Sequence, residues 1–385
     1  MADNTEIFNY HAHGKIELKV KPVNTREDLS IAYTPGVAKV CLEIKEHPER
    51  VWDLTWKSNT IMVLTDGSRI LGLGNIGPEA GLPVMEGKAQ LFKTLGNVDA
   101  IPICLGTQDE DEIVKTAKIL APGFGGINLE DIASPRCFNV EKRLIAELDI
   151  PVFHDDQHGT AVVVLAGLTN ALKLKKLPIS EARIIINGAG SAGHAITKLI
   201  VKAGAKKVLV VDSKGIINRN DQLPDYKMEL AMMTNSDCIT GDFNTAIKGA
   251  DVFIGASKPD ILTSEHVKSM NNKPVIFALA NPQPEINPKT AKEAGAYIVA
   301  TGRSDYPNQI NNVLGFPGIF RGLLDVRATK VNDEIKLAAA SAIAGIVGSD
   351  LAPDYIVPEA LDKRVMPIVA ESVRKTAREQ GLARI

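Results

Sequence analysis

The stretch FHDDQHGTA sets five chemistry-bearing residues in a row, His154, Asp155, Asp156, Gln157 and His158, just ahead of Gly159. A second acidic pair, Glu130 and Asp131, stands upstream in NLEDIA. Both pairs follow apolar runs that read as strands. Three or four carboxylates at strand ends suit a hard divalent cation, Mg²⁺ or Mn²⁺, which takes oxygen ligands. The plainer alternative is helix N-capping, because Asp131 and Asp156 each precede a helical stretch. A zinc site of the H-E-x-x-H kind fails on detail. That motif needs a helix carrying both histidines to one face, with a glutamate beside the first. Here Asp155 holds that place, a strand runs into the motif and Gly159 follows the second histidine at once. His154 and His158 therefore read as hydrogen-bonding residues around the acids.

A third candidate is a lysine on the wrong face of its helix. At 100° per residue, Val84, Met85, Ala89, Leu91, Phe92 and Leu95 share one side of the segment 84–96. Lys88 falls in the middle of that side, away from Glu86, Gln90 and Lys93. An ammonium pushed into apolar surroundings loses hydration and its pKa falls, which makes a general base near neutral pH. A lysine that snorkels out past a packed stem fits the spacing equally well.

The fourth feature is IIINGAGSAG. Gly188, Gly190 and Gly193 form G-x-G-x-x-G after a strand and at the start of a helix. A second strand, KVLVVD, then ends at Asp212, 24 residues after Gly188. The glycines alone are weak evidence; strand, glycines, helix, strand and terminal acid together are a Rossmann dinucleotide fingerprint. The backbone of Gly188, Ala189, Gly190, Ser191, Ala192 and Gly193 is expected to approach a pyrophosphate at the helix N-terminus. Asp212 can accept from the adenosine ribose hydroxyls, which favours NAD. Lys214 nearby favours the 2′-phosphate of NADP, so the coenzyme stays open between the two.

These groups need two scaffolds. Strand-like runs at 60–65, 100–105, 125–129 and 151–153 alternate with helical stretches at 84–96, 109–120 and 140–148. A second series of apolar runs lies at 182–188, 206–212, 251–256, 273–280 and 296–301. Near-continuous apolar strands suit parallel sheets covered on both faces. The expected fold is α/β, with an N-terminal α/β domain over 1–158 and a doubly wound nucleotide domain over 159–385. The part from about 316 reads as mostly helical.

Composition narrows the function classes. The 385 residues carry a formal net charge of −2 and no long block of Lys and Arg. That argues against nucleic acid or a polybasic membrane contact. The first residues lack a secretory pattern and no apolar run reaches a membrane span. Four cysteines without C-x-x-C spacing suit reduced thiols in a cytoplasmic protein.

Taken together, the chain resembles the malic enzyme family in its small prokaryotic form, without the phosphotransacetylase-like extension. The resemblance spans nearly the whole chain. It rests on YTPGVA (33–38), TDGSRILGLGNIG (65–77), MEGKAQLF (85–92), GINLEDIASP (126–135), FHDDQHGTA (153–161), INGAGSAG (186–193), FALANPQPEI (277–286) and NNVLGFPG (311–318). It implies metal-dependent oxidative decarboxylation of (S)-malate to pyruvate and CO2 with reduction of NAD(P)⁺, and decarboxylation of oxaloacetate. It implies Lys88 as general base and Tyr33 as the acid that protonates C3. Glu130, Asp131 and Asp156 match the divalent-metal ligands, with Asp155 beside them. Arg69 matches a carboxylate-binding arginine, and Asn281 and Asn312 the asparagines near substrate and nicotinamide. The family also implies a homodimer. Two other readings compete: a Rossmann dehydrogenase with a different substrate, and a dinucleotide-sensing module without catalysis.

Overall fold

The computed structural model describes residues 3–385. The first sheet holds β1 (Thr60–Thr65), β2 (Asp99–Cys104), β3 (Gly126–Leu129) and β4 (Val152–His154). All four are parallel, in the order β2-β1-β3-β4. The second sheet holds β5 (Arg183–Asn187), β6 (Lys207–Asp212), β7 (Gly215–Ile216), β8 (Val252–Gly255), β9 (Val275–Ala278) and β10 (Ile298–Thr301). Its order is β10-β9-β8-β5-β6-β7, parallel except for the two-residue β7. This is the doubly wound dinucleotide order, with its third strand reduced to a stub. β1 and β8 are buried at every position, as expected where helices cover both faces of a sheet.

Three helices lead the chain: α1 (Asn4–His11), α2 (Arg26–Ala32) and α3 (Val37–Glu46). None of them has a buried residue. The first sheet is flanked by α4 (Pro78–Gly96), α5 (Glu110–Leu120) and α6 (Arg136–Glu147). A long apolar helix, α7 (Thr160–Lys175), joins the halves, and α8 (Ser191–Lys202) follows the glycine-rich turn. Most of α7 is buried on every side, because it lies between other helices rather than under solvent.

The helices of the C-terminal part are α9 (Phe316–Asp325), α10 (Asp333–Ile346) and α11 (Val365–Glu379). By chain order they continue the nucleotide domain, but their packing is divided. Phe316 and Phe320 stand 4.6 and 5.3 Å, centroid to centroid, from Phe92 of α4, and Phe320 is 5.9 Å from Phe153 of β4. Arg327 pairs with Asp53, and Arg384 bonds Asp149, both in the first half. α10 packs on α7 and α8. The chain changes sheet between β4 and β5, while the terminal helices pack against elements of both halves. One apolar cluster runs through both.

All four cysteines are free, and burial pushes the Cys137 thiol up to about 12, so that side chain behaves as a small hydrophobe. Among the described residues no helix is long and apolar enough to cross a membrane.

Candidate active site

In the first sheet, β1 leads on to β2 at one side while β3 and β4 build the other side. The carboxyl ends of β1 and β3 therefore flank a topological switch point, where open α/β sheets bind ligands. The turn after β1 is tied by a buried acid. Asp66 accepts from Ser68 N–H and Oγ–H at 3.0 and 2.6 Å, and from Arg136 Nε at 3.0 Å. Ser68 Oγ accepts Ala133 N–H at 2.8 Å, and Arg69 N–H donates to Asp131 O at 3.1 Å. Arg69 is thus fixed beside the end of β3. There Asp131 takes a left-handed backbone (φ 53°), which aspartate tolerates, and its N–H donates to Asp156 Oδ2 at 2.7 Å.

Lys88 points where its helical position predicts. It is 8% exposed, with Nζ 2.6 Å from Asp155 Oδ2, 3.0 Å from Glu130 Oε1 and 4.2 Å over the Phe316 ring. It does not snorkel. Its acidity departs from the expectation of a depressed pKa. Burial alone would lower it, but Asp155 and Glu130 more than reverse that and raise it above the ordinary lysine value. The wheel located the apolar face and missed the acids that fold up against it.

Several acids share this one ammonium. Burial pushes Asp155 up to about 6 against the pull of Lys88. Burial, then the nearby Asp156, pushes Asp131 up to about 8, and Glu130 is raised chiefly by burial. Asp131 Oδ2 and Asp155 Oδ1 are buried with no hydrogen-bond partner. Among the described residues no three such side chains already stand as a closed metal-binding set. The donors are nonetheless all carboxylate oxygens, mutually repelling and partly orphaned. That chemistry fits a hard divalent cation.

The stretch 155–159 forms a single wide turn in which Thr160 N–H reaches back to Asp155 O. Gly159 is required there by space: a Cβ would lie 1.8 Å from Asp155 Oδ1. The histidines do not converge as ligands. His158 Nε2 is 2.9 Å from Glu141 Oε2, and both His154 ring nitrogens are buried without a hydrogen-bond partner, Nδ1 standing 3.7 Å from Asp156 Oδ2.

The nucleotide turn opens toward the same place. Gly188 (φ +118°) leaves no room for a side chain, since a Cβ would meet Ala256 O at 2.5 Å. At Gly190 the nearest atom to a built Cβ is Arg69 Nη1, at 3.7 Å, so the two sheets present their strand ends to each other. Asn281 follows β9 and lies against Gly72 of the loop after Arg69; Asn312 lies against Gly159. Asp212 ends β6 as expected, but its carboxylate is already engaged, by Lys227 Nζ at 2.5 Å and Lys214 N–H at 2.8 Å. Lys214 meets Asp212 through its backbone.

Tyr33 is the exception. It ends the uncovered α2 and is 68% exposed, and none of the site's hydrogen bonds includes it. Within one chain the structure gathers Lys88, Arg69, the four acids and the glycine turn, and leaves Tyr33 out.

Three contributors escaped the sequence reading: Asp66, Phe316 and Glu141. Glu141 had a legible signal. Cys137, Val140, Glu141 and Leu144 are the buried residues of α6, at helical spacing, so the acid sits on an apolar face as Lys88 does. Burial would raise its pKa, but the His158 ring and its hydrogen bond hold it down at about 2.

Residues 13–145 match the family described as malic enzyme, N-terminal domain, and residues 157–378 match malic enzyme, NAD binding domain. A bifunctional malic/malolactic enzyme of Bacillus subtilis is 56% identical over 97% of this chain and 92% of its own length. An NAD-dependent malic enzyme of Geobacillus stearothermophilus is 54% identical over 98% of this chain and 79% of its own. Among solved structures, the malic enzyme of Pyrococcus horikoshii superposes with a TM-score of 0.95 at 48% identity, covering 99% of this chain and 92% of that one.

Proposed function

The chain belongs to the malic enzyme family, and from that premise we propose how its one site carries out the oxidative decarboxylation of (S)-malate to pyruvate and CO2 with NAD(P)⁺. The observation that carries the assignment is Lys88, buried between Asp155 and Glu130 at the strand ends that face the glycine-rich turn. When bound, the coenzyme accepts hydride, and a divalent cation held by Glu130, Asp131 and Asp156 supplies Lewis acidity for the loss of CO2.

The chain's own groups do the rest. Arg69, anchored through its N–H to Asp131, offers a planar fork to a malate carboxylate. Lys88 takes the C2 hydroxyl proton, and it can do so only when the acids beside it are otherwise compensated, because their charge is what holds its own proton. Asn281, after β9, and Asn312, at the start of a short 3-10 turn, line the approach of the nicotinamide. The packed faces of α4 and α9, with Phe92 and Phe316 in contact, keep bulk water from the lysine. Asp212 at the end of β6 favours NAD⁺.

Tyr33 protonates C3 of the enolate from the partner subunit of a homodimer. Among the described residues, half of the exposed large apolar side chains lie between Ile7 and Leu42. Such a concentration marks an interface. The loop beyond Arg69 leaves Leu71 (64%) and Leu73 (68%) uncovered, an apolar surface at the mouth of the site.

The test is NAD(P)H formation from (S)-malate with Mn²⁺, with and without EDTA. Activity that EDTA removes and Mn²⁺ restores is expected. Metal-indifferent oxidation would favour another dehydrogenase, and absence of turnover a sensing module.

A further inference from the structure

In FHDDQHGTA the two acids bond Lys88 Nζ and Asp131 N–H, and their three neighbours share a different partner. Glu141 Oε1 accepts the His154 backbone N–H at 2.9 Å. Glu141 Oε2 faces His158 Nε2 at 2.9 Å and accepts from Gln157 Nε2 at 3.4 Å. A single carboxylate, 6% exposed, therefore grips positions 154, 157 and 158. The two positions it leaves free are Asp155, which holds Lys88, and Asp156, which accepts from Asp131 N–H.

Helix α6 packs on β4, and from it Glu141 reaches the wide turn. A wide turn of this kind lacks the regular i→i−4 ladder that would otherwise set its shape. The turn packs on α8 and on the segment at Asn312, and among the described residues Glu141 is the side chain that bonds three of its members.

We propose that Glu141 is a positioning residue for the cation-binding acids: by clamping His154, Gln157 and His158 it fixes the direction in which Asp155 and Asp156 leave the turn. This rests on the reading that Glu130, Asp131 and Asp156 hold a divalent cation. Groups that orient metal-binding side chains typically change metal affinity or activity by about 10–100-fold when removed. Glu141 acts one step further out than a usual partner, since it holds the backbone and neighbours of the acids rather than the acids themselves.

The experiment is Mn²⁺ binding to the coenzyme-free protein, followed by the loss of the free-ion EPR signal, with NADH affinity measured by fluorescence on the same samples. Glu141→Ala is expected to weaken Mn²⁺ binding by at least about 10-fold while NADH affinity stays at the wild-type level. Glu141→Gln, which keeps an oxygen for His154 N–H, is expected to recover most of that loss. A Glu141→Ala protein that binds Mn²⁺ as wild type does would overturn the proposal. If Glu141→Ala fails to fold, His158→Ala decides: it removes one of the three grips, so weakened Mn²⁺ binding supports the clamp and unchanged binding overturns it. Asp156→Ala runs beside these. If it too binds Mn²⁺ normally, the cation site itself is misassigned; if it alone loses binding, only the role of Glu141 falls.

Discussion

Lys88 and Tyr33 are the two groups proposed for proton transfer, yet they sit in opposite kinds of region. Lys88 is closed in by α4, α9 and the carboxylates of two strand ends. Tyr33 stands on an arm whose helices bury nothing. A base must be held to within a fraction of an ångström and kept dry, so it is built into the core. A group placed on an exposed apolar arm is finished only when a second surface covers that arm. On the proposed reading, the contrast divides the site into a half complete in one chain and a half that waits for a partner.

The largest effect should come from the complete half. Lys88→Ala is expected to lower kcat for malate oxidation at least about 100-fold. Since Asp155 and Glu130 then lose their shared cation, thermal stability should fall as well. A purified variant with a near-wild-type rate would remove Lys88 from the mechanism.

The waiting half predicts complementation. Tyr33→Phe and Lys88→Ala proteins, each nearly inactive, should regain activity when unfolded together and refolded as a mixture. The ceiling is about a quarter of wild type, because half the dimers are mixed and each mixed dimer has one intact site. If Tyr33 serves its own chain, no mixed dimer contains an intact site and the mixture stays inactive.

A smaller effect is expected at the coenzyme end. Asp212→Ala should raise the ratio of NADP⁺ to NAD⁺ utilisation in kcat/KM, by removing the acceptor for ribose hydroxyls and freeing Lys227. An unchanged ratio would show that the choice is made elsewhere.

The smallest effect separates the halves by pH. Asp131 has a pKa raised by burial and by Asp156 to about 8, against 3.8 when unfolded. Between those values the folded form holds a proton that the unfolded form has released, so stability falls as pH rises toward about 8. In EDTA, Tm should decline from pH 6 to pH 8. Added Mn²⁺ should flatten that slope, since a bound cation stabilises the ionised acids directly. A metal-free Tm that rises over this range would contradict the buried-acid arrangement.

Much of this layout was legible from residue order. The apolar runs located nine of the ten strands to within a residue or two, and the glycine spacing located the turn after β5. Two-sided burial reads plainly in sequence because it demands unbroken apolar runs. β7 was missed because a two-residue antiparallel stub leaves no pattern. The division of the C-terminal helices between both halves was also illegible, since an apolar helix face does not say which sheet will cover it.

The residue types by themselves determined that this chain carries paired acids at strand ends, a lysine on an apolar helix face and a glycine-rich turn of the dinucleotide kind. They did so because burial and glycine requirements are local. Only the tertiary structure decided that Lys88 keeps its proton. That follows from Asp155 and Glu130, 67 and 42 residues away in the chain, arriving within 3.0 Å of its nitrogen. Coulomb energy depends on distances that no spacing along the chain contains.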